Sequence, residues 1–141
     1  MYRFLLVSCL AITLFAEIPD SVMVEQNLEK RSELALKEAD TRISAASKAY
    51  AENDSKAFQL HVDAVGELAQ FSLKSLKDSG KNAKKSPKYF KRAELKLRSI
   101  LRRLETLEKD VLADDRAPVE KVKATVSTVH EQVLHDIMSK G

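Results

Sequence analysis

The clearest hydrophobic pattern in the chain lies between residues 86 and 112. Seven apolar side chains recur there at alternating spacings of three and four residues: Phe90, Ala93, Leu97, Ile100, Leu104, Leu107 and Val111. That spacing places them along one side of an α-helix, where a partner helix packs. Ser86 suits an N-cap and Pro87 suits the first helical position, so the sequence predicts a helix over residues 87–112.

Three more segments carry apolar positions at helical spacing. In residues 55–77 the apolar side chains cover more than half of the helix circumference, so this helix is expected to lie deepest. Residues 118–138 carry a valine-rich stripe, which favours burial because β-branched side chains are poor intrinsic helix formers. Residues 21–50 carry a thin, alanine-rich stripe that Arg31 and Arg42 interrupt, and this helix is expected to be the weakest.

Turn signals fall between these segments. Asp54 suits the N-cap of the second helix, Gly80 suits a left-handed residue after its end, and Pro118 suits the first position of the last helix. Gly66 is the exception, because it falls inside the second helix, on what the pattern predicts to be the polar side. There it costs about 1 kcal/mol relative to alanine.

Strands are not expected, because glycine and proline are scarce, 32% of the residues are charged and no alternating pattern occurs. The predicted fold is therefore all-α. Short turns between four helices favour an antiparallel up-down four-helix bundle. The alternative is a three-helix core with the first helix detached or paired in a dimer.

The N-terminal segment has the layout of a secretory signal peptide. Arg3 supplies positive charge, residues 4–15 form an apolar run too short to span a bilayer, and Ala16 is small. We therefore expect residues 1–16 to be removed on export and residues 17–141 to form one domain, periplasmic or extracellular. A lipoprotein signal ending at Cys9 and an uncleaved anchor are alternatives. Cys9 is the only cysteine, so the exported chain would have no disulfide, thiolate metal site or cysteine nucleophile.

The overall charge does not indicate a class of partner, because the chain has 24 basic and 21 acidic residues. The local charge is more informative. A basic helix face with one apolar member is predicted at Lys84, Lys85, Lys88, Lys91, Arg92, Leu95, Arg98 and Arg102. Cations near the start of a helix oppose its dipole, which suggests an anionic partner: an acidic protein, lipid headgroups or an envelope polymer. The alternative is an ordinary solvated face, for which Leu95 has no purpose. Nucleic acid is disfavoured by export and by the scarcity of aromatic residues beside the charges.

The three histidines do not form a metal motif. His130 and His135 are five residues apart, which places their rings about 140° apart around a helix, so they cannot share one ion. His61 projects from the apolar arc of the second helix, where its ring nitrogens need partners. It is interpreted either as a satisfied core histidine or as a pH-sensing or ligand-contacting site.

No phosphate-binding loop, nucleophile elbow or catalytic triad pattern occurs, and no cofactor is implied. The expected function is a non-catalytic binding or structural module of the cell envelope that presents the basic face to an anionic partner. The alternative is a small ligand- or pH-sensing bundle around His61. Self-association is a further prediction, because seams with heptad spacing serve between chains as well as within one.

Overall fold

The computed structural model describes residues 18–139, and the proposed signal peptide with Cys9 lies outside them. The helices are α1 Asp20–Met23, α2 Leu28–Ala51, α3 Ser55–Asp78, α4 Pro87–Asp110 and α5 Ala117–Met138, and a 3-10 turn covers Ala113–Asp115. No strand occurs among residues 18–139, so the predicted all-α class is confirmed. In the same part of the chain, no helix has both the length and the apolar character needed to cross a membrane.

The first helix differs from its prediction as one helix over residues 21–50. The chain leaves the helical conformation after Met23, and α2 begins at Leu28. The Asn27 side chain caps α2 by accepting a hydrogen bond from the backbone N–H of Lys30, 3.0 Å away. Arg31 stabilises the break, because its guanidinium donates to the carbonyl oxygens of Met23 and Glu25 at 2.9 and 2.7 Å.

Two of the three predicted capping residues behave as the sequence predicts, and Ser86 does not. The Asp54 side chain accepts a hydrogen bond from the N–H of Ala57 at 3.1 Å, and Gly80 has φ +72°, in the left-handed region. Ser86 occupies the N-cap position of α4, but its side chain makes no cap hydrogen bond. Its hydroxyl donates to the carboxylate of Glu29 on α2 instead, so Ser86 joins two helices and does not cap α4 through its side chain.

The four long helices pack together, each against two of the others. Helix α2 packs on α3 and α4, and α5 packs on the same two helices from the other side. Helices α3 and α4 barely touch, so these sequence neighbours lie diagonally and residues 79–86 cross between them. A detached first helix is ruled out, because Ala35, Leu36 and Ala39 of α2 are all buried.

The core is filled by the stripes that the hydrophobic pattern identifies. All seven apolar side chains of the α4 stripe, from Phe90 to Val111, are buried. These positions are therefore already covered within one chain. The sequence pattern is wrong about Gly66, which is buried against α5 rather than exposed on a polar side. A Cβ at Gly66 would lie 3.7 Å from side-chain carbons of Val122 and Thr125.

Contacts between α2 and α4 advance in the same direction along both helices. Near their starts, Glu29 meets Ser86, and further along, Asp40 meets Lys96, with the ammonium 2.9 Å from the carboxylate. At the far end the Tyr50 hydroxyl accepts from the backbone N–H of Leu112 at 2.9 Å. The two helices therefore lie side by side over their full lengths, and a groove runs between them.

Candidate binding surface

The structure exposes every residue of the predicted basic face. Lys84 and Lys85 lie in the connection that precedes α4, and the other six residues lie on the helix itself. One exposed row of α4, here called the basic stripe, consists of Lys88, Lys91, Leu95, Arg98 and Arg102. With spacings of three and four residues, the row keeps to one side of the helix and is about 21 Å long.

The cations of α4 divide into paired and unpaired groups. Lys96 and Arg103 turn toward α2, where both bind the Asp40 carboxylate and Arg103 also donates to the Ser44 hydroxyl at 2.6 Å. Arg98 pairs with Glu94 of its own helix. The exposed cations Lys88, Lys91, Arg102 and Lys109 of α4 have no ion-pair partner within residues 18–139, and neither has Lys85 just before the helix. The outward charge of α4 is thus left largely unmatched by the fold.

Asp40 holds the middle of the α2–α4 contact. Burial raises the pKa of its carboxyl, but the hydrogen bonds from Lys96 and Arg103 and the charges of both cations outweigh burial and lower the pKa overall. The carboxylate therefore stays ionised at neutral pH. Lys96 and Arg103 therefore hold α2 against α4 through Asp40 and are not available to bind a partner.

A groove with a volume of about 470 Å³ lies between α2 and α4 beside the basic stripe. Leu36 and Ala93, both buried, contribute apolar surface to its lining, together with the ring of Tyr89. Leu95 lies on the α4 side with half of its surface exposed, 50%. The sequence marks Leu95 as an unexplained apolar residue within a basic face, and the structure places it beside an open groove.

The groove also has charged walls. Lys37 stands on the α2 side, and Arg92 stands on the α4 side. The Arg92 guanidinium reaches across to the Glu33 carboxylate of α2 at 3.4 Å, and both side chains are about half exposed. A pair of that length and exposure contributes little to stability. Arg92 can therefore exchange Glu33 for another carboxylate at low cost.

Glu94 of α4 is a buried carboxylate. It is 5% exposed and lies at the interface of α4 and α5, where the Nε2 of His130 donates to it at 3.2 Å. Burial raises the pKa of Glu94, while hydrogen bonds from Arg98 and His130 lower it further than burial raises it. Its spacing, four residues after Phe90 and three before Leu97, is the sequence signal for its burial.

Glu29 of α2 is a second buried carboxylate, and its sequence context does not indicate burial. Lys81 donates to it at 2.6 Å from the α3–α4 connection, and the Ser86 hydroxyl donates to its other oxygen. The hydrogen bonds from Lys81 and then Ser86 lower the pKa of Glu29, against the opposing effect of burial. Glu29 therefore fastens the start of α4 to the first turn of α2.

His61 lies at the edge of the α2–α3 contact and is only half-buried, whereas the apolar arc predicts a buried position. Its Nδ1 is 3.1 Å from Nη1 of Arg42, which also pairs with Glu38. Arginine can only donate, so Nδ1 accepts and the neutral ring carries its proton on Nε2. This arrangement resembles a satisfied structural histidine, with a cation rather than a carboxylate or an open cavity facing the ring.

The other two histidines, His130 and His135, lie in different environments. His130 bonds Glu94, while His135 is well exposed near the end of α5 with its Nδ1 3.8 Å from Asp136. Among residues 18–139, no group of three or more His, Cys, Asp or Glu side chains is placed to hold a metal ion. No family model, curated protein or solved structure matches the chain.

Proposed function

We propose that this protein is a non-catalytic binding or structural module whose basic stripe binds an anionic partner. The observation that carries the proposal is the division of the α4 cations. Those that face α2 are matched by Asp40, whereas Lys88, Lys91 and Arg102 face solvent with no ion-pair partner in the described chain. Unmatched like charges in one row repel one another, and a polyanion relieves that repulsion.

Leu95 separates this surface from an ordinary solvated helix face. Exposure alone does not mark Leu95, because Leu60 of α3 is exposed to a similar degree, but Leu95 also lies among four cations and beside the groove. A binding surface uses such a residue, because apolar area becomes buried when the partner arrives. The adjacent groove provides the space for that burial.

The architecture that supports this surface is proposed to be the up-down four-helix bundle. Contacts between α2 and α3 run in opposite directions, from Ser32 with Ser72 to Arg42 with His61. Contacts between α4 and α5 do the same, from Glu94 with His130 to Glu108 with Lys123. The helix direction therefore alternates along the chain, as in the up-down topology, although α3 and α4 lie diagonally instead of side by side.

The proposed site of action is the cell envelope. The support is the layout of residues 1–16, which is that of a secretory signal peptide. Acidic proteins, lipid headgroups and envelope polymers are the anionic partners available in such a setting. Their shared chemistry is a dense array of carboxylate or phosphate groups.

The test compares the full chain with a variant in which Lys88, Lys91 and Arg102 are changed to glutamine. Arg98 is left intact because it compensates the charge of the buried Glu94 carboxylate, and its removal would destabilise the fold. The three probes are labelled poly-L-glutamate, phosphatidylglycerol vesicles and inorganic polyphosphate. In low salt, the variant should bind at least about tenfold more weakly to whichever probe the unaltered protein binds. At ~0.5 M salt the difference should disappear.

The matched control changes Lys48, Lys56 and Lys121 to glutamine. These lysines are also exposed, and the control removes the same number of charges from elsewhere on the molecule. Equal binding by the stripe variant and the control would show that only net charge matters and would overturn the proposal. Failure of the unaltered protein to bind any of these three probes or the acidic peptides described below would overturn it as well.

A further inference from the structure

The groove beside the basic stripe has the features of a pocket for one apolar side chain. Its volume of about 470 Å³ lies in the range of pockets that hold small organic groups. Leu36 and Ala93 line it with apolar surface, and the exposed half of Leu95 continues that surface toward the solvent. A partner that inserted an aliphatic or aromatic group here would contact Leu36 and Ala93 and would bury the exposed half of Leu95.

The groove lies beside the middle of the basic stripe, and this position constrains the ligand. Leu95 is seven residues after Lys88 and seven residues before Arg102, so it is the midpoint of the row. A matching ligand would therefore have one apolar group near its centre and anionic groups on both sides. The row is about 21 Å long, which is four turns of an α-helix.

The charges at the groove add a third constraint. Lys37 lies on the α2 wall, and Arg92 and Lys96 lie on the α4 wall, where Lys96 is already paired with Asp40. Arg92 is held only by the exposed, 3.4 Å pair with Glu33. A carboxylate from a partner can replace Glu33 at Arg92, so the present pair competes with the ligand.

From these features, and resting on the proposed function, we propose that the α2–α4 groove and the basic stripe together bind an acidic amphipathic helix of a protein partner. One large apolar side chain of that helix enters the groove beside Leu95, and carboxylates on either side of it meet the stripe. Binding of an amphipathic helix along a groove is an established mode of peptide recognition.

The other anionic partners fit these features less well. A glutamate homopolymer or polyphosphate carries no apolar group to place in the groove. A bilayer presents a broad surface, whereas the apolar part of this face is a recess between two helices with a single half-exposed leucine on α4. An acidic peptide with a central apolar residue uses both the recess and the surrounding cations.

The test uses two synthetic acidic helical peptides of equal charge, one with leucine and one with glutamine at the central position. The full chain should bind the leucine peptide about tenfold more tightly, as expected when one leucine side chain is buried. Leu95→Gln should abolish most of that preference. Leu60→Gln, which changes a similarly exposed leucine of α3, should leave the preference intact.

A second variant examines the competing carboxylate. Glu33→Gln should tighten binding of both peptides about twofold to fivefold, because it frees Arg92 and removes a like charge from the groove. Unchanged or weaker binding by this variant would contradict the assignment of Arg92 to the ligand. Circular dichroism on each variant checks that helicity is unchanged.

The outcomes separate this inference from the proposed function. Equal binding of the two peptides, or a preference that survives Leu95→Gln, would overturn the groove assignment while leaving an anionic partner in place. Binding of phosphatidylglycerol vesicles but of neither peptide would also overturn it, in favour of a lipid surface. Failure of both peptides, poly-L-glutamate, polyphosphate and vesicles to bind would overturn the two proposals together.

Discussion

At the scale of single residues, two polar side chains with unremarkable sequence contexts join separate elements of the fold. Glu29 and Glu94 are both buried carboxylates, and each accepts hydrogen bonds from two side chains. Buried charges are tolerated only when they are paired and hydrogen-bonded. Three of these four partners are distant in sequence: Lys81 and Ser86 bind Glu29, and His130 binds Glu94. The sequence alone therefore presents both residues as ordinary surface acids.

Gly66 leads to a stability prediction at this scale. Gly66→Ala should raise the free energy of unfolding by about 1 kcal/mol, because alanine is the better helix former and its Cβ would meet Val122 and Thr125 at an ordinary 3.7 Å. Urea unfolding followed by circular dichroism measures the change.

The same substitution at Gly80 provides the control. Gly80 has φ +72°, where a Cβ is strained, so Gly80→Ala should lower stability by about 1 kcal/mol. A loss of stability at Gly66 would show that α3 and α5 are too close there for an added methyl group.

At the scale of elements, α4 combines two functions on opposite sides. Its apolar seam is buried, as the spacing predicts, because a period of three and four residues is a local property of the sequence. Its helix start at Pro87 follows from the same local rules. The break between α1 and α2 could not be predicted in this way, since it depends on Arg31 reaching carbonyl oxygens six and eight residues earlier.

Three carboxylates join these elements and lead to a prediction about pH. Glu29 connects α2 to the start of α4, Asp40 connects α2 to the middle of α4, and Glu94 connects α4 to α5. Each has a pKa below its ordinary value, which is 4.5 for glutamate and 3.8 for aspartate. The unfolded chain therefore takes up protons at a higher pH than the folded one.

The sign of the effect follows from that difference. The contribution of these groups is fully present above about pH 5 and is lost as the pH falls through the ordinary values toward the lower folded ones. Urea unfolding of the full chain at about pH 7, 5, 4 and 3 should show stability falling steeply below pH 5. Asp40→Asn should be less stable at neutral pH and should lose less on acidification. A flat profile for the unaltered chain would contradict the role of the three carboxylates.

At the scale of the whole molecule, the number of long helices and the all-α class are predictable, but the arrangement of the helices is not. Hydrophobic stripes show that each helix has a buried side, yet they do not say which helix covers it. The placement of α2 beside α4, with α3 diagonal to α4, depends on pairs such as Asp40 with Lys96 and Glu29 with Ser86. The groove depends on that placement, so the sequence could single out Leu95 but could not show what lies beside it.

The most direct measurement is a map of where a polyanion contacts the isotopically labelled full chain. Poly-L-glutamate would be titrated into the protein while the backbone amide resonances are recorded. The basic stripe predicts shifts concentrated at Lys88, Lys91, Leu95, Arg98 and Arg102, with Lys48, Lys56 and Lys121 unaffected and the shifts reversed by ~0.5 M salt. Shifts spread over all exposed lysines, or centred away from α4, would contradict the assignment of this helix as the binding surface.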